Sequence, residues 1–230
     1  MGGLPVLLVV LEPRSDSTQS AVLALRHAAP QGISALVLGG TALPLVSSLG
    51  EGQLVVISDH INLLGHHPLV DRTTVELGHG FPDMSRAYDE RLRECVESEA
   101  AALSQSAGHG VYLACEEDMD ATDPFVRAAV DAGACVRGSG IAPIAVLGAA
   151  LRVPVVAAIL VNGNAACHGA PDACSREERK TMLAQALARG VFGVREEYRT
   201  EVGSHGALRS RETHTAVLTK SRTSVVLRVS

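Results

Sequence analysis

Aromatic residues are scarce in this 230-residue chain: they make up 3% of it, and tryptophan is absent. Hydrophobic residues nevertheless account for 47% and charged residues for 20%, which is the composition of a packed protein rather than of a disordered one. The core must therefore be built from Val, Leu, Ile and Ala. That mixture suits helices packed on a parallel β-sheet.

The chain also lacks the marks of several protein classes. Its formal charge of −5 leaves no basic excess for a large nucleic-acid interface. No apolar run approaches the ~18 residues of a membrane span, and the amino terminus has no basic flank of a secretory signal. The five cysteines form no CxxC pair, and the adjacent His66 and His67 lack metal-binding spacing. We therefore expect a cytoplasmic protein with buried thiols at Cys115 and Cys135, no metal, no nucleic-acid partner and no membrane span.

Apolar runs alternate with helical patterns over most of the chain. The predicted strands lie at 4–11, 33–38, 54–57, 111–115, 135–136 and 153–161. The predicted helices lie at 18–29, 83–106, 123–132, 141–150 and 175–189. This alternation predicts an α/β fold with a single domain, in which a mostly parallel twisted sheet is flanked by helices.

The domain is predicted at residues 1–193, because the character of the chain changes after Gly193. Residues 194–230 are polar and weakly periodic. We interpret them as a polar C-terminal tail that is loosely attached or disordered, with a partner-binding segment as the alternative.

A dense polar cluster follows the buried strand predicted at 54–57. Ser58, Asp59, His60 and Asn62 place four hydrogen-bonding side chains in five positions. At the carboxyl end of a strand in an open α/β sheet, such a cluster can serve a ligand. The alternative is that these side chains only fix their own loop through turn and capping hydrogen bonds.

The segments around this cluster resemble one known family. DHINLLG at 59–65, HPL at 67–69 and FPDMSRAYD at 81–89 are similar to segments of the trimeric purine nucleoside phosphorylases, the branch that includes the methylthioadenosine phosphorylases. A weaker resemblance extends over residues 4–187. It implies a nucleoside phosphorylase-like fold and phosphorolysis, in which phosphate attacks the anomeric carbon of a purine nucleoside and releases base and sugar 1-phosphate. Phosphate would be the co-substrate, and no cofactor is implied.

The resemblance also implies substrate-binding positions in this chain. Arg14 matches a phosphate-binding arginine, and Thr41 and Ala42 lie in a loop that leaves room for phosphate and purine. Thr122 belongs to the segment of the base pocket. Ser139 belongs to the segment that holds the ribose.

Two further residues carry the remaining roles that the resemblance implies. Asn162, with a shift of one residue, matches the residue that stabilises the departing purine and is the candidate catalytic residue. Phe81 matches a phenylalanine that reaches into the site of a neighbouring subunit and covers the sugar. A homotrimer or a mixed trimer is therefore expected.

Other positions of the family's site carry different chemistry here. Asp16 stands in place of a phosphate-binding histidine, and a carboxylate ~5 Å from phosphate repels it by roughly 1–4 kcal/mol. Leu43 and Pro44 replace two permissive residues of the loop predicted at 40–44. In the base pocket, an ungapped match puts Asp120 where the family has a stacking aromatic residue and Ala121 where it has a glutamate.

Three functions follow as hypotheses. The leading one is a purine nucleoside phosphorylase-like protein with little or no phosphorolysis, which acts as a binding or assembly partner. The alternative is an active phosphorylase with an altered ligand, using Arg14, Thr41, Phe81 and Asn162. The third is a truncated gene product, because the family's first phosphate-binding loop lies upstream of the strand that opens this chain and the tail is out of character.

Overall fold

The computed structural model describes residues 6–11, 22–23, 25–26, 29–70, 81–102, 106–116 and 118–163. The strands along these residues are β1 (Val6–Leu11), β2 (Ala35–Pro44), β3 (Leu54–Asn62), β4 (Ser106–Ala114), β5 (Ala134–Gly138) and β6 (Val155–Val161). The α-helices are α1 (Glu90–Ala102), α2 (Pro124–Asp131) and α3 (Ile141–Ala150), with a 3-10 turn at Ala29–Gln31. Helical residues are also found at 22–23 and 25–26, within the helix predicted at 18–29.

The strands form one mixed sheet that closes on itself. Four of the six pairings are parallel: β1 with β2, β2 with β6, β3 with β4, and β4 with β5. Two antiparallel pairings, β3 with β6 and β2 with β5, complete a ring of five strands, and β1 lies beside the first part of β2. The predicted α/β fold with a mostly parallel sheet is confirmed. The closure of the ring was not predicted, because it depends on pairings between distant strands.

The prediction of a loop at 40–44 is wrong, since β2 continues to Pro44. Thr41 and Ala42 pair with β6, and Leu43 and Pro44 pair with β5. Neighbouring strands therefore supply hydrogen bonds along this stretch, which offsets the weak strand propensity of its glycines. Pro44 is tolerated because it is the last residue of the strand.

The strand predicted at 54–57 is also longer in the structure, where β3 continues through the polar cluster to Asn62. In this second half Asp59 pairs with Val111 and His60 with Tyr112. The hydrogen bonds between the strands use only backbone groups. Polar side chains are therefore compatible with a strand where they are not fully buried.

The helix predicted at 83–106 begins later than expected, and the structure corrects both of its ends. The Asp89 carboxylate accepts the Leu92 N–H at 2.9 Å, which satisfies a free donor at the start of α1. Asp83 instead closes a local turn by accepting the Ser85 N–H at 2.9 Å. At the other end Ser106 already belongs to β4.

The core lies on both sides of the sheet. The largest apolar cluster joins one face of the ring to α3, a helix that is apolar on all sides and almost completely buried. Gly148 permits this contact, because an added Cβ would lie 2.5 Å from Val155 Cγ2. The other face is covered by α1, which packs on β3 and β6, and by α2, which packs on Leu113 and Cys115 of the β4 region.

Several sequence predictions fall outside the described residues: Arg14, Asp16, the helix at 175–189 and the tail at 194–230. The Cys115 and Cys135 thiols are free. Cys115 is buried as predicted, whereas Cys135 is only half-buried. No helix in the described ranges is long and apolar enough to cross a membrane.

Candidate functional site

The carboxyl ends of β2 and β6 bring three of the predicted site residues together. In the parallel ladder Thr41 pairs with Leu160 and Ala42 with Val161. Directly after β6, the Asn162 N–H donates to the Ala42 carbonyl at 2.9 Å. Ala42 is buried, whereas Thr41 and Asn162 are half-buried. A hydroxyl and an amide therefore remain accessible to a ligand at this edge of the sheet.

Ser139 reaches the same edge from the opposite direction. It follows β5, which is antiparallel to β2 with Leu43 opposite Arg137 and Pro44 opposite Val136. The carboxyl end of β5 therefore points back along β2 toward Ala42. The structure places Ser139, half-buried, in the turn between β5 and α3.

Tyr112 holds this turn, although the sequence analysis did not single it out. Its side chain is 2% exposed, and its hydroxyl oxygen accepts the N–H groups of Ile141 and Gly140. Gly140 is the N-cap of α3 and has no side chain to satisfy these donors. Burial raises the pKa of Tyr112 far above its usual value, so the hydroxyl stays neutral. The sequence feature that could have identified this role is the presence of a single tyrosine within an apolar strand.

Gly138 provides the space for the Tyr112 hydroxyl. An added Cβ at Gly138 would lie 2.5 Å from the Tyr112 hydroxyl oxygen and 3.3 Å from the ring carbon that carries it. Both groups are held by the β4–β5 ladder, so neither can move freely. A glycine is needed here because the two strands and the tyrosine meet at van der Waals distance.

Thr122 lies in an exposed turn before α2. Its N–H and its hydroxyl both donate to the Asp120 carboxylate, at 2.7 and 2.6 Å. Asp123 then accepts the Phe125 N–H at 2.7 Å and caps α2. In this conformation the polar groups of Thr122 are used within the loop itself.

Phe81 is fully exposed in the single chain. It begins the FPDMSRAYD segment, which becomes buried at Ala87 and Tyr88. The segment is thus anchored at its end, while the phenylalanine projects away from the core. The structure does not bring Phe81 into the group formed by Thr41, Ala42 and Asn162.

The polar cluster at the end of β3 is largely engaged in local and core contacts. Asn62 accepts the Leu64 N–H at 3.0 Å, and Asp59 accepts the His60 N–H at 2.7 Å. The His60 Nδ1 lies 3.0 Å from the Tyr88 hydroxyl, and the two rings meet edge to face at 5.7 Å. These contacts favour the structural interpretation of the cluster, but the cluster lies in β3 and not in a loop. Among the described residues, no group of three His, Cys, Asp or Glu side chains could hold a metal ion.

The half-buried His60 predicts a loss of stability in acid. Burial lowers its pKa below the ordinary 6.5, and the opposing effect of Asp59 is smaller. Because the unfolded chain then takes up the proton first, the contribution of neutral His60 is complete above pH 6.5 and is lost as the pH falls through the folded-state pKa. We expect the free energy of unfolding in urea to decrease over this range, and to decrease less in His60→Gln. The exposed His66→Gln should follow the wild-type curve; equal pH profiles for all three proteins would contradict this prediction.

The family model described as the phosphorylase superfamily matches residues 2–191. Purine nucleoside phosphorylase 1 of Geobacillus stearothermophilus is 39% identical over 83 residues, which cover 36% of this chain and 30% of the relative. A putative purine nucleoside phosphorylase of Schizosaccharomyces pombe is 30% identical over 147 residues, which cover 62% of this chain and 47% of the relative.

The fold is also similar to that of solved structures. A purine nucleoside phosphorylase in complex with ribose 1-phosphate superposes with a TM-score of 0.61 at 25% identity, over 74% of this chain and 63% of that protein. The matched regions span less than half of the length of the two curated relatives.

Proposed function

This chain belongs to the phosphorylase superfamily, and from that membership we propose that it is a purine nucleoside phosphorylase-like protein with little or no phosphorolysis. It would bind a purine nucleoside where β2, β5 and β6 end. Its role would be that of a binding or assembly partner. The observation that carries the binding part is the hydrogen bond from the Asn162 N–H to the Ala42 carbonyl, because it holds Asn162 against the residue that follows Thr41.

The chemistry of this edge suits a nucleoside. An amide offers both donors and an acceptor, and the threonine and serine hydroxyls can do either, so together they match the mixed donors and acceptors of a sugar and a base. The similar phosphorylase in complex with ribose 1-phosphate supports a nucleoside-related ligand, since that compound is the sugar product of phosphorolysis.

Weak catalysis is proposed because the residues that the family resemblance matches to the base pocket are poorly suited to a departing purine. Asp120 bonds to Thr122 within an exposed loop, and the neighbouring Ala121 has no polar group. A single lost transition-state donor typically costs ~100–1000-fold in rate. Several such losses leave little turnover.

Assembly is proposed from the exposed apolar side chains. Phe81 is fully exposed and Val70 is 78% exposed. A contiguous exposed apolar surface is typical of a site that meets another protein, and we propose that these two side chains belong to one. In a homotrimer or a mixed trimer, Phe81 would cover the sugar in a neighbouring subunit.

The alternative is an active phosphorylase with an altered ligand. The grouping of Thr41, Ala42 and Asn162 favours it, because a preserved site is what turnover requires. Arg14 would then supply the phosphate contact. The cytoplasmic location remains a prediction under either function.

Binding and turnover should be measured on the same purified protein. We expect inosine or guanosine with millimolar phosphate to raise the unfolding temperature, since a ligand of the folded state stabilises by ~2.7 kcal/mol at a hundred times its dissociation constant. Asn162→Ala should reduce this shift, whereas Ser98→Ala, an exposed serine of α1, should not.

Turnover of inosine, guanosine and methylthioadenosine separates the two functions. We expect rates at least ~100-fold below those of the Geobacillus stearothermophilus relative assayed in parallel. Comparable rates would establish the alternative. A cooperative transition with no ligand shift would contradict nucleoside binding and leave only assembly.

A further inference from the structure

Arg137 lies at the edge of the sheet where the site residues meet. It is the penultimate residue of β5 and is paired on one side with Leu43 of β2 and on the other with Leu113 of β4. Directly opposite residues of an antiparallel pair project from the same face, so Arg137 and Leu43 share a face. Leu43 approaches the residue after Asn162, because an added Cβ at Gly163 would lie 3.9 Å from Leu43 Cδ2.

Thr41 belongs to this same face. Side chains two residues apart in a strand project to the same side, so Thr41 and Leu43 are aligned along β2. The guanidinium of Arg137 and the hydroxyl of Thr41 therefore lie on one face of the sheet, near the carboxyl end of β6. The face on which Ala42 is buried against the core is the opposite one.

Within the described part of the chain, the guanidinium is only weakly engaged. Arg137 is half-buried, and its side chain donates a hydrogen bond to the Cys115 thiol. A thiol is a weak acceptor, whereas a guanidinium has five N–H donors in a planar fork. The ion pairs found among the described residues, Arg93 with Glu97 and His109 with Glu97, do not include Arg137. As far as the described residues go, most of its donors thus remain for solvent or a ligand.

Carboxylates nearby limit the chemistry of that ligand. Glu116 follows β4 and Asp123 caps α2, and both lie near enough to act electrostatically on the Cys115 thiol. A phosphate dianion at Arg137 would be repelled by these carboxylates. A neutral heterocycle with adjacent acceptor atoms on one edge avoids that repulsion and still uses the fork of the guanidinium.

We propose that Arg137 is a specificity-determining residue that binds the O6 and N7 atoms of a 6-oxopurine through two parallel hydrogen bonds. A guanidinium fits these two acceptors, whereas a 6-aminopurine presents an NH₂ donor in place of O6. Arg137 therefore selects oxopurines over aminopurines. The inference rests on the proposed nucleoside binding and adds to it the group that reads the base.

Calorimetric titration of the full chain with hypoxanthine and with adenine tests this role. Wild-type protein should prefer hypoxanthine by roughly 10- to 100-fold, the range of one bidentate base contact. Arg137→Met keeps the length of the side chain and removes the charge, so the preference should disappear. Arg137→Lys keeps the charge without the fork and should lose most of the preference. Arg127→Met, at an exposed arginine of α2, should match the wild type.

The outcomes separate this inference from the proposed function. Equal binding of the two bases by wild-type protein, or an unchanged preference in Arg137→Met, overturns the role of Arg137 and leaves nucleoside binding standing. If the protein binds neither base and does not bind inosine, both the role of Arg137 and the proposed nucleoside binding are overturned. If Arg137→Met lacks a cooperative unfolding transition, Arg137→Lys decides, and a full preference in that variant overturns the bidentate contact.

Discussion

Replacing Gly138 with alanine should lower the free energy of unfolding by about 1–3 kcal/mol, the usual range for an overpacked core. The new methyl carbon would lie 2.5 Å from the Tyr112 hydroxyl oxygen, which is buried and held by two N–H donors. Relief of this contact requires a shift of the turn that carries Ser139. We therefore expect weaker nucleoside binding in the same variant. Urea unfolding and the ligand-induced thermal shift would measure the two effects.

A double-mutant cycle identifies the cause. Tyr112→Phe alone removes the oxygen and leaves the Gly140 and Ile141 donors unpaired, which costs about 1–3 kcal/mol. The double variant with Gly138→Ala should be more stable than the sum of the single effects predicts, because its methyl group no longer meets the oxygen. Gly50→Ala is the matched control, since its added Cβ would meet only the Gln53 side chain, at 3.7 Å. Simple additivity in the cycle would refute the proposed clash.

Replacing Tyr88 with alanine should have the largest effect on stability, about 3–5 kcal/mol, as for other large buried aromatic residues. Tyr88 is 5% exposed and joins the segment before α1 to the second half of β3 through its contact with His60. Loss of the ring opens a cavity and removes the hydrogen-bond partner of the imidazole. Tyr88→Phe keeps the ring and removes only the hydroxyl, so we expect a smaller loss of about 1–3 kcal/mol.

An exposed aromatic residue provides the control for this prediction. Phe125 is 68% exposed on α2, and Phe125→Ala should change the free energy of unfolding by no more than about 0.5 kcal/mol. Chemical denaturation of the three variants measures the differences. Similar stabilities for Tyr88→Ala and Phe125→Ala would show that the Tyr88 contact does not hold the fold together.

The elements that the sequence predicted best are those whose own residues determine them. The helix predicted at 141–150 coincides with α3, because a run of apolar helix-compatible residues follows the flexible Gly140. Asp123 also marks the start of α2 in both the prediction and the structure, since its carboxylate accepts a backbone donor of the first turn. In such cases the residues of the helix and its cap are sufficient to predict where it begins.

The ends of β2 and β3 were missed because their stability comes from other strands. Thr41 and Ala42 are strand residues owing to β6, more than a hundred positions further on, and Asp59 is one owing to β4. No local pattern contains these partners. The candidate site was predictable to the extent that the family resemblance selected Thr41, Ala42 and Asn162. The roles of Tyr112 and Arg137 depend on contacts between strands and could not be predicted from spacing.

The closed ring of strands has a consequence for the synthesis of the protein. β2 ends at Pro44, but its partner β6 begins only at Val155, 111 positions later. At ~5–20 residues per second, the ribosome needs roughly 6–22 s to make that stretch. Throughout this interval one edge of β2 has no partner, and its apolar residues, such as Leu36 to Leu38, are exposed to other nascent chains. Expression at a lower temperature or with a holdase chaperone should therefore raise the yield of folded protein, because both protect a chain in which β6 has not yet been made.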